Sequence, residues 1–384
     1  MITNFLLLLL LLALTVPPYW WLPAGWVRAR LSLVIVTSCL LLWILSPVIL
    51  AVVAVYGVVI VLFSLARRLG ASPNAVRLAS WTVFVPLFGF ERIPPDWLAS
   101  GLLGESALSA PAIVAFALLG VSYTAIRSFI LIREGLEGRP PSPLEAFAGL
   151  VFFGSFVAGP IAGSKPWQSA APNLTEDAVI MALARIGWGG AMFLVIKPLV
   201  MDFDIAAWLG IDPNGTSAAW ALVYQRFAVL YIDFSGYSSV AIGCGLLFGV
   251  RLPENFNWPV RARSIQEFWQ RWHMSLGAFI GTYLFRPMVR QTGRPALAIF
   301  VAFTAIGLWH HTTWPYLVWG IGHGAALALN MVVRRHGTFD AVPDSLRGAI
   351  GWLLTMTYVS LLSSIANAPE ADEVLPMLIQ LSPF

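Results

Sequence analysis

The sequence predicts an all-α integral membrane protein. It reads as a polytopic helical bundle of about ten or eleven membrane segments, at roughly 20 residues per span, with re-entrant or tilted helices around a central cavity. Three observations predict this class. Of 384 residues, 58% are hydrophobic and only 11% charged, against roughly 25% charged in soluble domains. The mean hydropathy is +0.78, more apolar surface than a water-soluble chain of this length can hide. Seventeen Trp and 24 Phe fit the aromatic belts that sit near lipid headgroups.

The apolar segments follow one another without a long polar insertion. Ile2 to Pro17 is read as a first membrane helix rather than a cleaved signal. No Lys or Arg precedes Arg28, and no clean small-residue cleavage site follows. Tyr19, Trp20 and Trp21 would anchor it at the interface. Leu31 to Leu45 and Val48 to Leu65 form a hairpin flanked by Arg28 and Arg30, then by Arg67, Arg68 and Arg77. Both basic clusters are expected in the cytoplasm, which places the N-terminus outside. Ser80 to Phe90 is too short to span and suggests irregular backbone covered by protein or water. Ala112 to Ile132 leads back to the cytoplasmic cluster Arg133, Glu134, Glu137 and Arg139. Leu144 to Ile161, Ala178 to Val200 and Ala218 to Phe248 follow. The basic loop with Arg251, Arg261 and Arg263 is again expected inside. Ser275 to Phe285, Leu297 to Trp309 (also short), Tyr316 to Val333 and Ala349 to Ile365 complete the series. The organisation is read as N-terminal membrane helices over 1–110, a core over 111–335, and a C-terminal helix and tail over 336–384.

Charge and cysteine content bound the partners. The net charge of +4 and pI near 9.3 come from scattered residues, so they point to the lipid bilayer and not to nucleic acid. Cys39 and Cys244 lie in apolar sequence, which makes a disulfide scaffold or a Cys-based zinc site improbable.

Four of the five histidines lie between Phe268 and Gly324, inside otherwise apolar sequence. A titratable group in a membrane segment is costly and usually functional. On one continuous helix, Phe268, Trp269, Trp272, His273 and Leu276 share a side, and Glu267 pairs with Arg271 four residues on. His273 then either serves the site or merely bonds to backbone in an interfacial anchor. His310 ends the short segment Leu297 to Trp309, at a depth that calls for a polar cavity or a bond to a neighbouring helix. His323 sits among Gly320, Gly322 and Gly324, which allow close helix packing or leave room for a substrate chain. Arg226 and Asp233, two turns apart in Ala218 to Phe248, are expected to pair, a structural role more than a catalytic one. His310 and His311 lack supporting carboxylates, so no metal site is expected, and no GxSxG elbow is present.

Together the motifs resemble the membrane-bound O-acyltransferase (MBOAT) superfamily, and most of all its bacterial branch that acetylates alginate. The matching core is Tyr231-Ile232-Asp233-Phe234-Ser235-Gly236-Tyr237-Ser238, Pro253-Glu254-Asn255-Phe256-Asn257, and Ser264 through Leu276 with Phe268-Trp269-Gln270-Arg271-Trp272-His273. Gly307 to His310 and Trp319 to Gly324 complete it. Gly120-Val121-Ser122-Tyr123 and Val157-Ala158-Gly159-Pro160-Ile161 are also similar to the family. Departures are His311 where the family usually has Gly, Arg286-Pro287-Met288 in place of a Pro-Leu-Gly-Gly loop, and Phe153-Gly154-Ser155-Phe156 in place of Phe-Pro-Gln.

The resemblance implies an MBOAT-like fold and an O-acyltransferase. His310 would be the catalytic base, and His273 would position donor or acceptor. His323, Trp269, Arg271, Trp309, Asp233 and Tyr237 would support substrate. It implies no bound cofactor and no metal. The donor would be a cytoplasmic thioester, acyl-CoA or an acyl carrier, passing an acyl group (acetyl in the lead reading) toward a hydroxyl of an exported polysaccharide. The setting would be a bacterial inner membrane with a periplasmic acetyltransferase or polysaccharide-export partner. D-alanyl or other acyl transfer to a cell-wall polymer, a transporter using intramembrane histidines, and a membrane scaffold stand as alternatives.

Overall fold

The computed structural model describes residues 2–90, 110–136, 140–156, 159–335, 343–368 and 374–381. Glu137, Arg139, Val157 and Ala158, named above, lie outside them. All regular structure among the described residues is helical. The helices used below are α1 (Ile2–Trp21), α2 (Val27–Leu45), α3 (Pro47–Arg68), α4 (Ala110–Glu134), α5 (Pro143–Val151), α6 (Glu176–Met201), α7 (Thr216–Leu247), α8 (Ile265–Arg271), α9 (Met274–Phe279), α10 (Pro295–His310), α11 (Trp314–Arg335) and α12 (Asp344–Ala366).

Among the described residues, six helices are long and apolar enough to cross a membrane: α2, α3, α6, α7, α11 and α12. Phe5–Trp21 and Pro295–His310 are apolar but shorter. Only 28% of the α3 window is buried within the protein. Its Val55, Val58 and Val61 are open, a surface that suits hydrocarbon and not water. The chain is a polytopic helical membrane protein.

Two compact units are present: Met1–Leu194 with Gly236–Pro253, and Val195–Ser235 with Glu254–Phe384. In the first unit, α3 starts at Ser46-Pro47. The serine hydroxyl accepts from Ile49 N at 3.4 Å and the proline presets the first helical φ. A capping box of Ser142 and Glu145 starts α5. That helix stops at Val151, and Phe153–Ser155 turn as a 3-10 segment. The expected continuous span Leu144 to Ile161 is therefore corrected to a short helix and a turn. The buried Arg127 of α4 explains how the break survives. Its guanidinium donates to the Ser155 carbonyl, to Ser155 Oγ at 3.1 Å and to the Leu150 carbonyl at 3.5 Å. Backbone freed from a helix in an apolar setting needs such donors and acceptors.

The aromatic run at the end of α1 is also corrected. Trp21 is 90% exposed and suits an interface, but Tyr19 is buried. Tyr19 Oη donates to the Phe248 carbonyl at 3.1 Å, and Trp20 Nε1 to the Leu247 carbonyl at 2.7 Å. Both satisfy carbonyls that the end of α7 leaves open. Arg30, expected in a cytoplasmic basic cluster, is buried. It donates to the Leu22 and Pro172 carbonyls and lies over the Trp20 ring at 4.8 Å.

In the second unit, α10 and α11 form a close hairpin through a three-residue turn. A Cβ on Gly320 would stand 2.7 Å from the Phe303 carbonyl oxygen, and one on Gly324 2.8 Å from that of Phe300. Gly322 faces Leu362 and Tyr358 of α12. Protein thus fills the space that a substrate chain was given as one option for these glycines. The ion pair on Asp233 is with Lys197, Nζ to Oδ1 at 2.7 Å, where Arg226 was expected. Lys197 sits late in α6, and a lysine inside an apolar segment needs an acceptor of this kind.

Candidate active site

The histidines come together on α8 to α11 of the second unit. Their placement begins at Ser264, whose hydroxyl caps α8 by accepting from Glu267 N at 3.1 Å. Glu267 is held by two donors: Oε2 accepts from Arg263 N at 2.8 Å, and Oε1 from Arg271 Nε at 3.0 Å. The expected Glu267–Arg271 pair is present, and Arg271 also donates to the Asn257 carbonyl at 3.1 Å.

The single helix expected through His273 is corrected. α8 ends at Arg271, Trp272 is extended, and His273 turns left-handed at φ 43°, ψ 54° before α9 begins. Such a conformation costs about 1–3 kcal/mol and persists only where surrounding contacts hold it. Here the fully buried Asn255 holds it. Its carbonyl accepts from Met274 N at 2.9 Å. Its Oδ1 accepts from Ser275 N at 3.3 Å and from Ser275 Oγ at 2.6 Å. His273 Nδ1 lies 3.3 Å from the same oxygen. The break re-aims the imidazole into an aromatic nest, edge-on to Phe234 at 4.7 Å, while Trp272 packs on Phe227, Phe256 and Phe268.

His310 is the last residue of α10 and is half-buried. Its ring meets Trp309 at 4.5 Å, Trp319 edge-on at 5.4 Å and Tyr316 at 5.9 Å. His311 has φ −163°, ψ 147°, extended backbone that any residue adopts, so replacing the family's glycine there costs no backbone strain.

His323 is buried and shares Trp319 with His310, at 4.7 Å ring to ring. Trp269 Nε1 donates to its Nδ1 at 3.2 Å. An indole N–H can only donate, so Nδ1 holds the lone pair and the ring proton is on Nε2. Tyr358 closes the other side at 5.9 Å, with its hydroxyl donating to the Gly322 carbonyl at 2.7 Å. Tyr358 also lines a cavity of about 1670 Å³ with Arg263, Arg271, Asn330, Arg334 and Arg347. Packed contacts thus run from an arginine-rich rim through Tyr358, His323 and Trp319 to His310.

Of the residues singled out from sequence, His273, His310, His323, Trp269, Trp309 and Arg271 lie in this region. Asp233 is engaged with Lys197. Tyr237 belongs to the first unit. Sequence reasoning gave no role to Asn255, Tyr358 or Lys197. The signal for the last two was a polar group in an apolar helix; Asn255 sits in a loop and carried no such mark. Among the described residues, no three His, Cys, Asp or Glu side chains converge as a metal site would require.

The membrane-bound O-acyltransferase family model matches residues 31–366. Over 265 residues the chain is 31% identical to "Probable alginate O-acetylase AlgI" of Azotobacter vinelandii, covering 66% of this chain and 51% of that one. It is 33% identical over 163 residues to a peptidoglycan O-acetyltransferase of Helicobacter pylori, covering 42% and 31%. It is 26% identical over 230 residues to a teichoic acid D-alanyltransferase of Bacillus subtilis, covering 54% and 58%. The aligned region spans about half the length of the curated relatives it matches. With most of its length matched and its histidines gathered on one hairpin and the kinked helix before it, the chain belongs to the membrane-bound O-acyltransferase family.

Proposed function

We propose that this chain is an O-acyltransferase that moves an acetyl group from a cytoplasmic thioester to a hydroxyl of an exported polysaccharide. One observation carries the reading. Three imidazoles lie in apolar surroundings, two of them sharing Trp319, and Tyr358 joins one of these, His323, to a cavity with four arginines at its rim. Two of those arginines face carboxylates, Arg271 on Glu267 and Arg347 on Asp344. The rim still favours an anionic donor, and the phosphates of coenzyme A or of a carrier-bound phosphopantetheine fit that charge.

In the proposed step, His310 accepts the proton of the acceptor hydroxyl as the oxygen attacks the acyl carbon. The C–S bond breaks, and the departing thiolate takes the proton back from the imidazolium. An ester and a free thiol result. His273 acts beside His310, and His323 with Trp269 and Trp309 shapes the wall. The cell setting is a bacterial inner membrane, with a periplasmic acetylation or polysaccharide-export partner receiving the group. The similarity to teichoic acid D-alanyltransferases favours one second reading, D-alanyl transfer to a cell-wall polymer.

The test uses purified full chain in proteoliposomes with labelled acetyl-CoA or a D-alanyl carrier, with and without partner protein. Acetyl transfer from the first donor is expected. His310→Ala should lower it by about 10²-fold or more, the contribution of a general base, while insertion is unchanged. Full activity in that variant defeats the base assignment. Solute flux without acyl turnover defeats the enzyme reading.

A further inference from the structure

We infer that Asn255 is a positioning residue that locks His273 in one tautomer, with the proton on Nδ1 and the lone pair on Nε2. The inference deepens the acyl-transfer reading and rests on it only for what the lone pair does.

The argument runs through obligatory donors. Ser275 N–H is a backbone group and can only donate, so the Asn255 side-chain atom it meets at 3.3 Å is the oxygen and not the amide nitrogen. That identifies the side-chain orientation. The same oxygen lies 3.3 Å from His273 Nδ1. An amide oxygen only accepts, so Nδ1 must carry the hydrogen. In the neutral ring Nε2 then holds the lone pair. Asn255 is 0% exposed and His273 3%, so water does not compete for these contacts. The oxygen is pinned from a third side by Ser275 Oγ at 2.6 Å. Asn255 also fastens the left-handed turn through its own carbonyl to Met274 N. One residue thus sets both the direction of the imidazole and the location of its proton.

The consequence separates two roles for His273. An Nε2 lone pair accepts a hydrogen bond, so neutral His273 acts only as an acceptor at that nitrogen. It cannot donate from Nε2 to a developing oxyanion. His323 is the opposite tautomer, fixed by Trp269 with its proton on Nε2. The two buried rings therefore present one acceptor and one donor.

The experiment is nitrogen-15 NMR of histidine-labelled full chain in lipid nanodiscs at neutral pH, with His273 assigned by its loss in His273→Gln. The expected spectrum has a protonated Nδ1 and an unprotonated Nε2. Asn255→Asp keeps an acceptor oxygen and should keep the proton on Nδ1. Asn255→Leu removes the acceptor. It should mix or reverse the tautomer and lower kcat by about 10²-fold, the lower end of what positioned proton transfer contributes, with KM for the donor unchanged. A proton on Nε2 in the unsubstituted chain overturns the inference, even if Asn255→Leu fails to fold. An unchanged His273 spectrum in Asn255→Leu also overturns it. If the tautomer is as stated and no acyl donor is turned over, the positioning stands and the proposed function falls.

Discussion

Replacing Gly320 by alanine tests whether the α10–α11 hairpin sets the active geometry. The added Cβ would meet the Phe303 carbonyl oxygen at 2.7 Å, Gly307 Cα at 3.1 Å and Thr304 Cα at 3.2 Å. All three are backbone atoms, so no side chain can swing away. The closest contact is roughly 0.7 Å short of the 3.4 Å at which such contacts become ordinary, and the helices must part by about that amount. Overpacking of this kind costs about 1–3 kcal/mol. The separation falls on the proposed catalytic geometry, because His310 ends α10 while Trp319 and His323 lie on α11. Displacement of a reacting group by about 1 Å can cost ~10²-fold in rate. The expected result is a lowered apparent Tm in detergent and a kcat reduced by about ten- to a hundredfold. Two controls grade the effect. Gly322→Ala meets the flexible end of Leu362 at 2.8 Å and should cost less. Gly281→Ala meets nothing within 4 Å and should cost little. Wild-type Tm and turnover in Gly320→Ala would refute the claim that close backbone packing aligns the histidines.

Two further outcomes follow from named contacts. Trp269→Phe keeps a ring against Trp319 and Phe303 but removes the donor to His323 Nδ1; it should cost about 1 kcal/mol of stability and lower acyl transfer, and unchanged transfer would remove His323's tautomer from the mechanism. Lys197→Met and Asp233→Asn, singly and together, should show a coupling of up to about 1 kcal/mol by thermal shift, since Asp233 is half-exposed. A larger coupling between Arg226 and Asp233 in the same cycle would contradict the observed pairing.

The chain's class was readable from composition, because apolar surface on this scale has no soluble solution. Local pairs were readable too. Glu267 and Arg271 meet because one helical turn separates them, whatever surrounds that helix. The four histidines stood out as polar groups in apolar sequence, and two of them, His310 and His323, share Trp319. Beyond one turn, periodicity lost its force. It ran a helix straight through Trp272 and His273, where the chain breaks, since a left-handed residue is stabilised by Asn255 from eighteen positions upstream. It gave Asp233 a partner on its own helix, while the lysine that reaches it comes from α6. It put Tyr19 and Trp20 at the lipid interface, although the open carbonyls at the end of α7 draw both inward.

Helix propensity, hydropathy and i, i+4 pairing are properties of neighbours along the chain, and they specify a membrane-embedded helical protein with a histidine-bearing segment. The turn at His273, the proton on each imidazole and the closeness of α10 to α11 depend on donors, acceptors and backbone brought together across the fold. Those groups are distant in sequence, so their meeting appears first when the helices pack.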